Sequence, residues 1–186
     1  MMQGLARYRP YALLCAVLLL VCILASHPVA ETGINDDFSY VKSAQLMSTT
    51  GHMAYVGWAS AMEGWLIPLG ALFIKLFGFS FTGVRAAGVL VATVTAVLMQ
   101  RSCVRSGLSE RNAAIATLAI VLSPLYLPLA STYMTDIPGL LVVVLCYYGC
   151  LRAVESATGH GATAWLTAIC VLTAIGGTAR QTGWLG

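Results

Sequence analysis

The sequence predicts an all-α membrane protein, with about five transmembrane helices and interfacial helices in a long first extracytoplasmic loop. Three observations carry that reading. Of the 186 residues, 59% are hydrophobic and only 9% are charged, where soluble domains carry about 25% charged residues. Mean hydropathy is +0.83, and several apolar runs approach the ~20 residues that a bilayer crossing needs. Finally, the few charges sort by position: the acids gather in some connections between runs and the arginines in others. The net charge of +3 is small, and no Lys/Arg cluster interleaved with aromatics points to nucleic acid.

The apolar runs lie at residues 11–26, 65–79, 83–99, 113–129, 137–151 and 164–176. If all six spanned, Arg101, Arg105 and Arg111 would face the same side as the acids of the first loop, against the positive-inside tendency. Asp36 and Asp136 would then also lie on opposite faces. Run 65–79 is short and contains Pro68, Gly70 and Lys75, features of an interfacial or re-entrant segment. Laying it along the outer interface places Arg7, Arg9, Arg101, Arg105, Arg111 and Arg152 inside. Glu31, Asp36, Asp37, Glu63 and Asp136 then fall outside, with Glu110 and Glu155 inside. Five spans and one interfacial helix follow.

In chain order, Arg7 and Arg9 before the first apolar run have the form of a signal sequence, but Pro28 spoils the cleavage pattern ending at Ala30. A retained first span is expected. The first external loop, residues 27–82, is far longer than a connector, and such loops are usually functional. In it, Asp36 or Asp37 can cap a helix running to about Thr49, with Phe38, Val41, Ala44 and Met47 as its apolar stripe and Gly51 ending it. Tyr55, Trp58 and Trp65 suit the headgroup layer. In the inside loop, Ser109 is placed to cap the next helix. The segment Thr135-Asp136-Ile137-Pro138 is a helix start with an N-terminal cap and an early proline. The last run ends at Gly176, and the pattern stops in mid-course at Gly186. The chain is therefore expected to be the N-terminal part of a longer protein, with little activity by itself.

Six cysteines, five of them within apolar runs, have no metal-ligand spacing with histidine and read as small apolar packers. His27, His52 and His160 read as loop or interfacial residues.

Two adjacent acids in so apolar a chain need a reason. The Asp36-Asp37 pair in a long first external loop resembles the Asp-Asp or Asp-Glu motif of the GT-C superfamily of integral-membrane glycosyltransferases. Further similarities follow in order: Phe77-Gly78-Phe79 closing the interfacial helix, Val84-Arg85 opening the next span, Ser123-Pro124 late in the third, Thr135-Asp136-Ile137-Pro138, and Arg180-Gln181-Thr182-Gly183. The branch it is most similar to comprises bacterial relatives of dolichyl-phosphate-mannose protein mannosyltransferases and lipid A aminoarabinose transferases. The latter have a lysine before a proline pair in the first loop, where this chain has Glu63-Gly64-Trp65.

The resemblance implies inverting transfer of a sugar from a polyprenyl-phosphate donor to a lipid, glycan or protein acceptor. Transfer would occur on the extracytoplasmic side of a multi-pass protein in a bacterial inner membrane. Asp36 matches the principal catalytic aspartate, the candidate base. Asp37 stands where many relatives have Glu, and would hold a neighbouring loop or tune Asp36 through like-charge coupling. Asp136 matches the acid of the second external loop, and would bind acceptor or order the site. Arg180 is the expected partner of the donor phosphate, with Arg85 second. No cofactor is implied; a divalent cation is used by some members of the superfamily and not by others. Each residue also has a plainer role. The aspartates can be helix caps, and Arg85 and Arg180 can reach to the interface as snorkelling anchors. Two other function classes compete: a transporter or scramblase component, and a membrane protein without chemistry. Acids confined to loop–helix junctions on one face, with no inverted repeat, count against transport.

Overall fold

A computed structural model describes residues 10–26, 29–56 and 63–180. His27, Trp58 and the stretch from Gln181 onward lie outside the described residues. Every regular element among those described is helical. They are α1 (Tyr11–Ala25), α2 (Asp37–Thr50), α3 (Leu66–Phe77), α4 (Phe81–Arg105), α5 (Glu110–Val121), α6 (Tyr126–Ala130), α7 (Asp136–Val154) and α8 (Gly159–Gly176). The chain is an all-α membrane protein.

Among the described residues, three helices are long and apolar enough to cross a membrane: α4, α7 and α8, with 25, 19 and 18 residues. At 1.5 Å per residue, α4 is about 37 Å long and exceeds the ~30 Å hydrocarbon core. The five-span expectation thus rests for its other two members on shorter pieces. Helix α1 has 15 described residues. The run at 113–129 is divided into α5 and α6, because Pro124 has no N–H to donate. The Ser123 hydroxyl instead accepts from Tyr126 N at 3.1 Å and restarts the helix.

α4 is the central helix, packed against α1, α3, α5, α6 and α7. Its far end meets the end of α7 through an Arg105–Glu155 ion pair and a Ser106–Tyr147 hydrogen bond of 2.8 Å. Its beginning packs near the start of α7, where a Cβ on Gly88 would stand 3.1 Å from Thr132 O. The two helices are therefore antiparallel. α8 folds back along α7, with Gly149 against Ile169 and Gly176 against Val142. α1 rises beside α5, Cys15 near Ala114 and Leu19 in the cluster that holds Val121.

This arrangement gives the bundle a basic end and an acidic end. Arg101, Arg105 and Arg152 share one end with Glu110 and Glu155, and the acids there are paired to the arginines. The opposite end carries α2 and α3, Glu31, Asp36, Asp37, Glu63 and Asp136. The 12-residue α3 is about 18 Å long, too short to cross. It packs on α2 and α4 and stops at Gly78, whose φ of 86° a Cβ would resist. One apolar cluster joins this end: Tyr40, Val41 and Ala44 of α2, Leu66 and Ile74 of α3, Val84 and Ala87 of α4, then Tyr133 and Ala179.

Candidate active site

The site starts from a strap, residues 29–36, laid over the beginning of α4. Glu31 holds it there. Its carboxylate accepts from Ser80 Oγ at 2.8 Å, Phe81 N at 2.9 Å and Thr82 N at 3.3 Å, amides that have no partner within the helix. The Thr82 and Ser80 hydroxyls and these amides lower the Glu31 pKa to about 2.

Arg85, one turn into α4, ties the same strap from beneath. Its Nη1 donates to Ala30 O at 2.6 Å and Nη2 to Thr32 O at 2.7 Å, while Nε donates to Asp37 Oδ2 at 2.7 Å. Asp37 Oδ1 accepts from Ile34 N at 2.6 Å. Both side chains are sealed from solvent, 3% and 0% exposed. Asp37 thus holds the neighbouring strap, one of the two roles expected of it, whereas Arg85 is placed differently from the snorkelling anchor or phosphate partner expected. Asp37 is a buried ion-pair partner that pins the turn before α2, and Arg85 is neither exposed for snorkelling nor free for a phosphate.

Asp36 occupies the N-cap position of α2, yet its side chain makes no cap hydrogen bond. It is exposed and, with Asn35, Phe38, Ser39 and Val56, lines a hollow of about 430 Å³. Asn35 takes a left-handed φ of 56° to make the turn that presents it. The wall at Val56 is sewn to α2: Ser39 Oγ donates to Val56 O at 2.7 Å and Val56 N to Ser43 Oγ at 3.1 Å.

The second acidic turn opens α7. Asp136 forms an ion pair with Arg180 Nη1, which also reaches Thr135 Oγ1 at 3.4 Å. Thr135 makes no cap hydrogen bond through its side chain, contrary to the expected cap. Gly139 lets the arginine lie along α7, since a Cβ there would come within 3.1 Å of Arg180 Cδ. Both partners remain partly exposed, 29% and 41%.

Two residues absent from the expected site join the turns. Tyr133, fully buried, donates its hydroxyl to Leu66 O at 2.5 Å. Gly64 N donates to Thr178 O at 2.9 Å and links the approach to α3 with the end of α8. The sequence signal for Tyr133 is slight: a tyrosine in the polar turn just before a helix start. The five expected residues thus come together as two pairs, Asp37–Arg85 and Asp136–Arg180, with Asp36 unpaired among the described residues, between solvent and the hollow. Asp36 and Asp136 share an end and an underlying apolar cluster but do not touch. Beside Arg85 and Thr82, an apolar groove of about 570 Å³ runs between α1 and α4. The described residues contain no group of three metal-ligating side chains.

A family model described as dolichyl-phosphate-mannose-protein mannosyltransferase matches residues 60–185, from just before α3 to beyond Arg180. No curated protein and no solved structure matches the chain.

Proposed function

The chain belongs to the dolichyl-phosphate-mannose-protein mannosyltransferase family, and on that premise we propose that it moves a sugar from a polyprenyl-phosphate donor to an acceptor at the outer face of a membrane. The observation that supports this reading is the shared end: one exposed aspartate at a hollow and one Asp–Arg pair, both mounted on the same apolar cluster. A donor whose lipid tail stays in the bilayer needs its reacting atoms at that level.

In the proposed step, an acceptor hydroxyl oxygen attacks the anomeric carbon from the face opposite the lipid phosphate. The new C–O bond forms as the bond to the phosphate oxygen breaks, so the configuration inverts. The hydroxyl proton goes to Asp36, the one carboxylate of the expected set left unpaired among the described residues. The electron pair stays with the phosphate, and Arg180 stabilises the charge that grows there. The Arg180 contacts to Asp136 and Thr135 both run through Nη1, and its side chain is 41% exposed, so it is the better phosphate partner of the two arginines. Asp37 and Arg85 act through Asp36: their buried pair fixes the turn that carries it. Asp136 orients Arg180. The acceptor is a lipid, glycan or protein hydroxyl.

Asp36→Asn in membranes carrying the protein tests this reading. Transfer from a radiolabelled polyprenyl-phosphate sugar should fall by about 10²–10⁴-fold, the usual worth of a general base, with insertion unchanged. Undiminished transfer would remove Asp36 from the chemistry.

A further inference from the structure

Glu63 stands just before α3 and takes no part in the chemistry above. Its side chain is 0% exposed, and neither carboxyl oxygen has a hydrogen-bond partner among the described residues. The backbone around it is firmly engaged. Its carbonyl accepts from Leu66 N at 2.9 Å and Ile67 N at 3.1 Å, which starts α3. The next residue, Gly64, is bonded to Thr178 and packed so closely that a Cβ would stand 2.1 Å from Thr178 Oγ1. Tyr133 is an ionisable group that faces it, with its hydroxyl committed to Leu66 O; Tyr40 of α2 is buried in the same apolar cluster. The carboxyl therefore lies in the seam where α3 meets the turn before α7 and the end of α8. Those are the elements that bring Asp136 and Arg180 together.

The charged groups on the surrounding elements are engaged elsewhere or held in solvent. Arg180 pairs with Asp136 and Arg85 with Asp37. On α2, Lys42 donates to Gln45 and lies 4.6 Å from the centre of the Phe79 ring. On α3, Lys75 is exposed in the last turn. A carboxylate taken from water without a counter-ion is disfavoured against its neutral form, and burial pushes the Glu63 pKa up to about 7.

We propose that Glu63 is a positioning residue that works uncharged: protonated, it lets α3 close on the Asp136–Arg180 end, and ionised, it drives that seam open. Only the kinetic consequence of this rests on the transfer reading. The sign follows from the two states of the seam. Closed, it holds the proton up to about pH 7; opened to water, the carboxyl returns to its ordinary value of 4.5. Opening is least favoured below the lower value, grows as pH rises through the window, and levels above the upper one.

Hydrogen exchange in lipid nanodiscs at about pH 5 and about pH 8, corrected for intrinsic exchange, tests it. In the wild-type protein, opening around residues 63–67 should rise roughly a hundredfold between the two conditions; in Glu63→Gln, a neutral isostere, it should change by less than about threefold. An equal pH response in both proteins would overturn the proposal. Should the variant fail to insert, the wild type decides alone. Opening confined to residues 63–67 and 176–180 supports the proposal, and a uniform response along the helices refutes it. In the transfer assay, kcat should fall from pH 6 to 8 in the wild type and stay level in Glu63→Gln. If exchange behaves as expected and no transfer occurs at any pH, the seam stands and the glycosyl-transfer reading falls.

Discussion

Arg85 shows how one side chain decides the fate of three others. It holds Asp37, Ala30 and Thr32 at once, and so sets where Asp36 can point. Removing it leaves a carboxylate buried without a counter-ion, a change that costs about 3–5 kcal/mol. Arg85→Ala should therefore lower the melting temperature in detergent and reduce the yield of inserted protein. Asp36→Asn should do neither, because its side chain makes no bond that the fold needs. Comparing the two variants by thermal unfolding and by transfer separates the scaffold of the turn from its chemistry. Arg180→Gln belongs with the second kind: it should impair transfer by about 10²–10³-fold, as loss of a group that stabilises transition-state charge does. Its pair with Asp136 is partly exposed and adds little to stability.

At the level of elements, close approaches set the geometry. Gly176 lets α8 lie on α7, since a Cβ there would stand 2.2 Å from Val142 Cγ2. Gly176→Leu should separate the two helices and displace Arg180 from Asp136; a lowered melting temperature and loss of a crosslink between Asp136→Cys and Arg180→Cys would report it. The beginning of α4 depends on Glu31 instead. Its pKa is lowered to about 2 from an ordinary 4.5, so its contribution is complete above the ordinary value and lost as pH falls through the lower one. Glu31→Gln should free the strap at neutral pH, seen as faster exchange at the Phe81 and Thr82 amides.

The whole molecule separates charge between two ends. The acidic turns occupy one, and Arg101, Arg105 and Arg152 the other. On the positive-inside tendency, the expected outcome is that Met53→Cys and Thr132→Cys both react with an impermeant thiol reagent added outside. Cys103, beside the basic end, should react only after the membrane is opened. Labelling of position 53 and position 132 from opposite sides would contradict the shared end, and the transfer reading with it.

Much of this was legible in the chain itself. Apolar runs, the end of α2 at Gly51, the stop of α3 at Phe77-Gly78 and the Ser109 cap depend on neighbours within a few residues, so local pattern discloses them. Charge sorting also predicted that Asp36 and Asp136 would share a side, because the cost of moving arginine across a bilayer is paid residue by residue. The break at Ser123-Pro124 was visible as a motif, but its effect on a span of 17 residues was not. Glu63 offered a faint signal, a single acid in an aromatic stretch; its lack of a partner among the described residues was hidden. Partnership is the part that only the tertiary structure decided. Arg85 meets Asp37 across 48 positions and Arg180 meets Asp136 across 44, and nothing local distinguishes those pairings from others of the same charge. Hydrophobicity adds along a chain, whereas a buried ion pair exists only where packing has excluded water from both of its members.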